Sequence, residues 1–255
     1  MGLTSLALRF AAPPPHLADY TRYLFIGPHP DDIEIGAGAT AAAFAAMGKK
    51  VSFLVCTDGR YGLDFAPAGT TPAALADIRK AECRAAAETL GVREVHFLDL
   101  SDGAQYSREE LTDGMARVIG EVQPEVLFAP DPFVASECHP DHLAVGETAR
   151  TLAFFAPFRE IMALHGAQNA DVQALAYYMT ARPNRFVKTG KCFDRQLNAL
   201  RCHASQFPAD SEAWRSLELY LKLRARDFGL RSFTGRAEGF RVLGKTQMHC
   251  LPEAK

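Results

Sequence analysis

Two short clusters hold the residues best suited to chemistry in this 255-residue chain: His29-Pro30-Asp31-Asp32 and His139-Pro140-Asp141-His142, about a hundred positions apart. Two imidazoles and a carboxylate, His29, His142 and Asp32, can fill three corners of a zinc tetrahedron and leave the fourth for water, the arrangement of a catalytic rather than a structural site. His29 and Asp32 are three apart, so a loop turning into a helix can present both together. Alone, that cluster reads equally well as a helix start with first-turn carboxylates. Pro140 suits the first position of a helix, which puts His139 at the N-cap and His142 in the first turn on the same face. The positive helix end disfavours protonation of His142, and a metal requires neutral imidazole. A decorated helix start is the plain alternative here too; the coincidence of two matched half-sites favours a metal. Asp31 is the spare carboxylate, a general base for a water whose pKa a bound ion lowers from about 16 toward ~7, or otherwise a cap. His139 is the second electrophile, an imidazolium that stabilises an oxyanion or protonates a departing amine. Asp141 offsets the helix dipole's opposition to that charge, or is simply a helix-start carboxylate.

Such residues need elements to position them, and each cluster follows an apolar run that reads as a buried strand, Tyr23 to Gly27 and Val126 to Ala129. Between them the pattern predicts a small-residue helix from Gly38 to Met47, a strand over Val51 to Cys56 and a helix from Pro72 to Leu90. A strand near Val95 to Leu98 and a helix from Arg108 to Val122 complete the series. Gly48 and Gly91 stand where glycines terminate helices, and Ser107 with Glu110 has capping-box spacing. This is an α/β pattern, predicting a Rossmann-like, mostly parallel sheet with helices on both faces. In the common order 3-2-1-4-5, strands 1 and 4 are neighbours and their carboxyl ends flank the switch-point crevice. Both clusters then meet in one crevice. Later segments are less regular: a strand over Ala174 to Met179, helices over Cys192 to His203 and Glu212 to Arg226, and a late strand over Ala237 to Val242. The reading is one domain over 1–255, with an arm (1–20), a metal-binding core (20–150), and a region (151–255) that completes the sheet and supplies a substrate lid.

Composition narrows the function. With 28 Lys plus Arg against 30 Asp plus Glu and no basic stretch, neither nucleic acid nor an anionic membrane is an expected partner; a small molecule is. The six cysteines form no C-x-x-C pair or short-loop framework, which suits free thiols in a cytoplasmic enzyme. The apolar stretch Leu3 to Ala12 is interrupted by Arg9 and reads as an arm, not a signal peptide. No run approaches the ~20 apolar residues of a membrane span. The sequence leaves oligomeric state open, a homo-oligomer included. Arg79 and Glu82 read most simply as a surface i,i+3 pair, and Asp102-Gly103 as a turn.

Taken in order, these motifs resemble the PIG-L/LmbE-like family of zinc-dependent de-N-acetylases acting on N-acetylglucosaminyl groups. The resemblance runs through Pro28-His29-Pro30-Asp31-Asp32-Ile33-Glu34-Ile35-Gly36, Thr57-Asp58-Gly59, Arg79-x-x-Glu82 with Leu90-Gly91-Val92, Leu98 to Asp102, His139 to His142, and His203-x-Ser205-Gln206. It implies Zn2+ on His29, Asp32 and His142, Asp31 as base, His139 as oxyanion stabiliser or acid, and Arg79 and Asp102 as sugar contacts. The chain departs from the family pattern at Gly36-Ala37-Gly38-Ala39, read as a mild change in loop freedom, and in the loop Tyr61 to Thr71. The expected reaction is removal of an N-acetyl group from an N-acetylglucosamine-type glycoside, giving acetate and an amine. One rival is an amidase on another N-acyl or thiol-sugar conjugate at the same centre. The other, a non-catalytic metal- or nucleotide-binding module, predicts a glycine-rich phosphate loop where His29-Pro30-Asp31-Asp32 stands.

Overall fold

Strand β1 (Arg22–Gly27) is buried from Tyr23 onward, as a strand with neighbours on both edges and helices on both faces must be. In the computed structural model, which describes residues 10–249, β1 lies between β2 (Lys50–Thr57) and β4 (Val126–Pro130) and is parallel to both. The sheet order is β3-β2-β1-β4-β5-β7-β6, with β3 at Glu94–Leu100, β5 at Ala174–Tyr178, β6 at Arg185–Lys188 and β7 at Ala237–Gly244. The 3-2-1-4-5 order is thus present, and the antiparallel β7 joins β5 to β6.

Alternation along β1 sends Tyr23 and Phe25 to one face and Leu24 and Ile26 to the other. The first face packs under α1 (Asp32–Ala46), α2 (Pro72–Leu90) and α6 (Cys192–Leu200), through residues such as Ile33, Phe44, Cys83, Leu90 and Ala199. The second packs under α3 (Arg108–Val122) and α4 (Pro140–Phe155), through Leu111, Met115, Val145 and Leu152. Phe25 and Phe128 stack across β1 and β4 with ring centroids 4.1 Å apart, and Phe240 of β7 meets Phe128 edge-on at 5.2 Å. A third cluster, with Phe193, Leu200, Trp214 and Leu221, seats α7 (Glu212–Arg231) on α6.

Helix ends follow the local chemistry. Ser107 and Glu110 form a reciprocal capping box at α3, and Gly91 takes the left-handed conformation that closes α2. One boundary differs from expectation. Helix α1 begins at Asp32, six residues before the expected start at Gly38, so Gly36 as well as Gly38 lies inside it. They make room: a Cβ on Gly36 would fall 2.2 Å from the Tyr178 ring, and one on Gly38 3.1 Å from Gln196. A short helix α5 (Arg159–Leu164) and the edge strand β6 were not foreseen, and α6 stops at Leu200, short of His203. Most of the arm's apolar stretch, and Cys250, lie outside the described residues. The arm's described end is tied down by Gln247 Nε2 donating to Ala12 O at 2.6 Å and by Arg185 bonds to Pro14 and Pro15 carbonyls. Among the described residues no helix is long and apolar enough to cross a membrane.

Candidate metal centre and active site

Both clusters sit at strand carboxyl ends. The turn after β1 is braced by β2, where Thr57 N and Oγ1 each donate to Pro28 O at 2.8 Å. At Asp31 the backbone turns sharply into α1 with φ 129°, a conformation that L-residues rarely hold without support. The second cluster opens α4, with His139 at the N-cap and Pro140 at the first helical position. Adjacency of β1 and β4 brings the two together.

His29 Nδ1 lies 3.1 Å from Asp32 Oδ2, and His142 Nε2 lies 3.3 Å from the same oxygen. The ligand-capable atoms of His29, Asp32 and His142 all fall within 4.8 Å of one another. Ligands about 2.0–2.1 Å from a tetrahedral ion stand roughly 3.3 Å apart, so this cradle fits zinc-sized coordination, and the two-nitrogen, one-oxygen set suits zinc. Electrostatics agree. Burial opposes charge on His29, yet its bonds to Asp141 and Asp32 push its pKa up to about 10. His142 is likewise desolvated and is pushed up to about 9 by Asp32. Asp32 is itself desolvated, and the two histidines hold it well below the usual carboxylate range. Without a metal, the pocket's carboxylates draw protons onto its own imidazoles; this is the field a dication would neutralise.

Each histidine is oriented from behind. His142 Nδ1 pairs with Glu137 Oε2 at 3.0 Å, and His29 Nε2 with Asp141 Oδ2 at 3.0 Å. A carboxylate on the far nitrogen fixes the ring and raises its basicity as a ligand. Asp141 was read as a partner of His139, but its nearer imidazole is His29: His139 Nδ1 is 3.8 Å away. Asp141 also accepts from Gly103 N and Ala104 N, both at 2.8 Å, and from Tyr106 Oη at 2.9 Å. These bonds outweigh its desolvation and hold its carboxyl well below the ordinary range. The Asp102-Gly103 turn thus clamps the site's orienting carboxylate through its backbone. Glu137, Tyr106 and the Gly103–Ala104 amides were missed by the sequence reading. Only Glu137 had a local signal, an acid five residues before His142.

Asp31 stands beside the cradle. Burial raises its carboxyl, the Arg79 guanidinium lowers it, Asp32 raises it again, and the net pKa is about 6. Arg79 is buried and donates to Asp31 Oδ2 at 3.1 Å, to Pro30 O at 2.8 Å and to Gly59 O at 3.0 Å. Arg79 and Glu82 are therefore not a surface pair: Glu82 accepts from Ser205 N at 2.8 Å and Ser205 Oγ at 2.6 Å, on an inward face of α2. His139 keeps 45% of its side chain exposed and accepts from Asp141 N through Nδ1 at 3.3 Å, which leaves Nε2 as the protonated, donating nitrogen. Desolvation and the neighbouring His29 and His142 lower its pKa. Asp102 is buried at the site's edge, its Oδ2 accepting from Tyr61 N at 3.4 Å and its Oδ1 without a partner among the described residues. Behind Asp31, fully buried His203 and Glu34 face each other at 3.6 Å.

Residues 24–153 match the family model described as PIG-L, GlcNAc-PI de-N-acetylase. The chain belongs to the PIG-L family. Among its relatives, a diacetylchitobiose deacetylase of Thermococcus kodakarensis is 34% identical over 92% of this chain and 88% of that protein. A 1D-myo-inositol 2-acetamido-2-deoxy-alpha-D-glucopyranoside deacetylase of Kineococcus radiotolerans is 34% identical over 53% of this chain and 45% of that protein. The solved N,N'-diacetylchitobiose deacetylase of Pyrococcus horikoshii superposes with a TM-score of 0.83 at 31% identity, covering 92% and 88% of the two chains. A 4-carboxy-2-hydroxymuconate hydratase of Pseudomonas putida shares the fold alone, with a TM-score of 0.74 at 20% identity. PIG-L membership together with the site, more than the fold, therefore points to the reaction.

Proposed function

We propose that this chain is a zinc-dependent hydrolase that removes the N-acetyl group from an N-acetylglucosamine-type small glycoside, releasing acetate and a free amine. The observation that carries this reading is the convergence of His29, Asp32 and His142 within 4.8 Å, beside a buried Asp31 whose pKa is about 6. The deacetylase relatives support it. His29, Asp32 and His142 would hold the zinc ion, which would supply Lewis acidity for a carbonyl and a water.

The chain's own groups do the rest. Asp31, ionised above pH 6, takes a proton from the attacking water. His139 donates through Nε2–H to the oxygen on which negative charge develops. Protonated Asp31 then delivers its proton to the sugar nitrogen as the C–N bond breaks, so the water's hydroxyl ends on acetate and its proton on the amine. Arg79 keeps Asp31 aimed, Asp141 keeps His29 aimed, and Asp102 holds the Tyr61 amide at the edge of the site. A cytosolic setting with free thiols belongs to this proposal.

The test is acetate release from N-acetylglucosamine, its simple glycosides and diacetylchitobiose, with metal content determined in parallel. Asp31→Asn is expected to cut turnover by about 10²–10⁴-fold while metal content stays at the parent level. Near-normal turnover in that variant, or full activity of the chelated protein, would overturn the mechanism.

A further inference from the structure

The loop after β2 carries an aromatic ring whose setting the catalytic scheme does not use. Tyr61 is 55% exposed, yet the backbone around it is fastened to the site at three points. Gly59 O accepts from Arg79 at 3.0 Å, Gly62 O accepts from Gln206 Nε2 at 2.9 Å, and Tyr61 N donates to Asp102 Oδ2 at 3.4 Å. A turn bond from Gly62 N to Gly59 O, 3.2 Å, tightens the same stretch. The ring lies over the Asp102-Gly103 turn: a Cβ added to Gly103 would stand 3.9 Å from Tyr61 Cδ2. That glycine's amide is the one bonded to Asp141, the carboxylate behind His29.

A solitary exposed tyrosine on a free loop needs no explanation. This one is different because its backbone is held by Arg79 and Asp102, residues of the site, while its ring faces solvent. Its neighbour Phe65, also exposed, lies beyond the fastened stretch. Pyranose rings present flat C–H faces edged by hydroxyls. An exposed aromatic face held at the edge of the site is complementary to the apolar face of such a ring. Because the loop is already anchored, little ordering is required when a ligand docks.

We propose that Tyr61 is a substrate-binding residue whose ring stacks on the pyranose bearing the acetamido group; this rests on the deacetylase reading. It makes Tyr61 a determinant of selection for cyclic amino sugars. The contact is made equally in ground and transition states, so it governs KM rather than kcat.

The experiment is steady-state deacetylation of diacetylchitobiose and N-acetylglucosamine by the full-length metal-loaded protein and by Tyr61→Ala and Tyr61→Phe. Tyr61→Ala is expected to raise KM for both sugars about three- to tenfold, with kcat within about twofold of the parent. Tyr61→Phe, which keeps the ring, is expected to stay within about twofold of the parent in both constants. Unchanged KM in Tyr61→Ala, or a loss in Tyr61→Phe as large as in Tyr61→Ala, overturns the stacking role while leaving the deacetylase reading intact. A metal-loaded parent that releases no acetate from either sugar overturns both.

Discussion

Asp141 shows how one side chain's role is set by what surrounds it. It gathers two backbone amides, a tyrosine hydroxyl and the far nitrogen of His29, so it can accept everywhere and donate nowhere. An amide in its place cannot satisfy that environment, since its NH2 group would face one of those donors. Asp141→Asn is therefore expected to weaken zinc binding by about 10–100-fold, read by competition with a chromophoric chelator. Parent-level affinity would show that His29 is held by other means. The carboxylate was legible in the sequence as part of the second cluster. Its partner was not, because adjacency to His139 along the chain said nothing of His29, 112 positions away, which the pairing of β1 with β4 brings alongside.

Helix α1 is the element that turns sequence spacing into site geometry, and its glycines give a prediction whose sign separates two explanations. By propensity alone, replacing a mid-helix glycine with alanine stabilises by about 1 kcal/mol. At Gly36 the new methyl would fall 2.2 Å from the Tyr178 ring, which is itself pinned by its hydroxyl donating to Ile26 O at 2.8 Å. Overpacking of that kind costs roughly 1–3 kcal/mol. Gly36→Ala should therefore lower the urea midpoint with little change in m-value, whereas a raised midpoint would mean the ring moves freely. The sequence pattern starts this helix at Gly38 and leaves Gly36 in the preceding loop. A glycine that makes room for a distant ring leaves no local trace.

At the scale of the whole molecule, the site couples metal, protons and stability. In the metal-free protein His29 and His142 are raised from about 6.5 to about 10 and about 9. Groups raised on folding stabilise fully below their unfolded pKa and lose that contribution as pH climbs through the folded values. The chelated protein should accordingly lose stability from about pH 6.5 toward pH 10. Metal binding runs the other way: it needs both imidazoles unprotonated, releases their protons and strengthens as pH rises. The gap in Tm between zinc-loaded and chelated protein is thus expected to widen between pH 6.5 and 9, measured by calorimetry at fixed free zinc. A gap that stays constant over that range would show that the histidines do not carry those protons.

By itself the sequence determined the α/β alternation, the helix caps at Ser107 and Gly91, and the two half-sites at strand ends. Each of these is carried by neighbours along the chain, through apolar periodicity, cap chemistry and motif spacing. The strand order followed from a general rule, and so did the meeting of the half-sites. Tertiary structure alone decided that Arg79 and Glu82 face inward, that Asp141 serves His29, and that Tyr61 stands over the Asp102-Gly103 turn. Those outcomes depend on which side chains are brought together from tens to more than a hundred positions apart. Burial then sets the charge each group carries, and no local pattern encodes either.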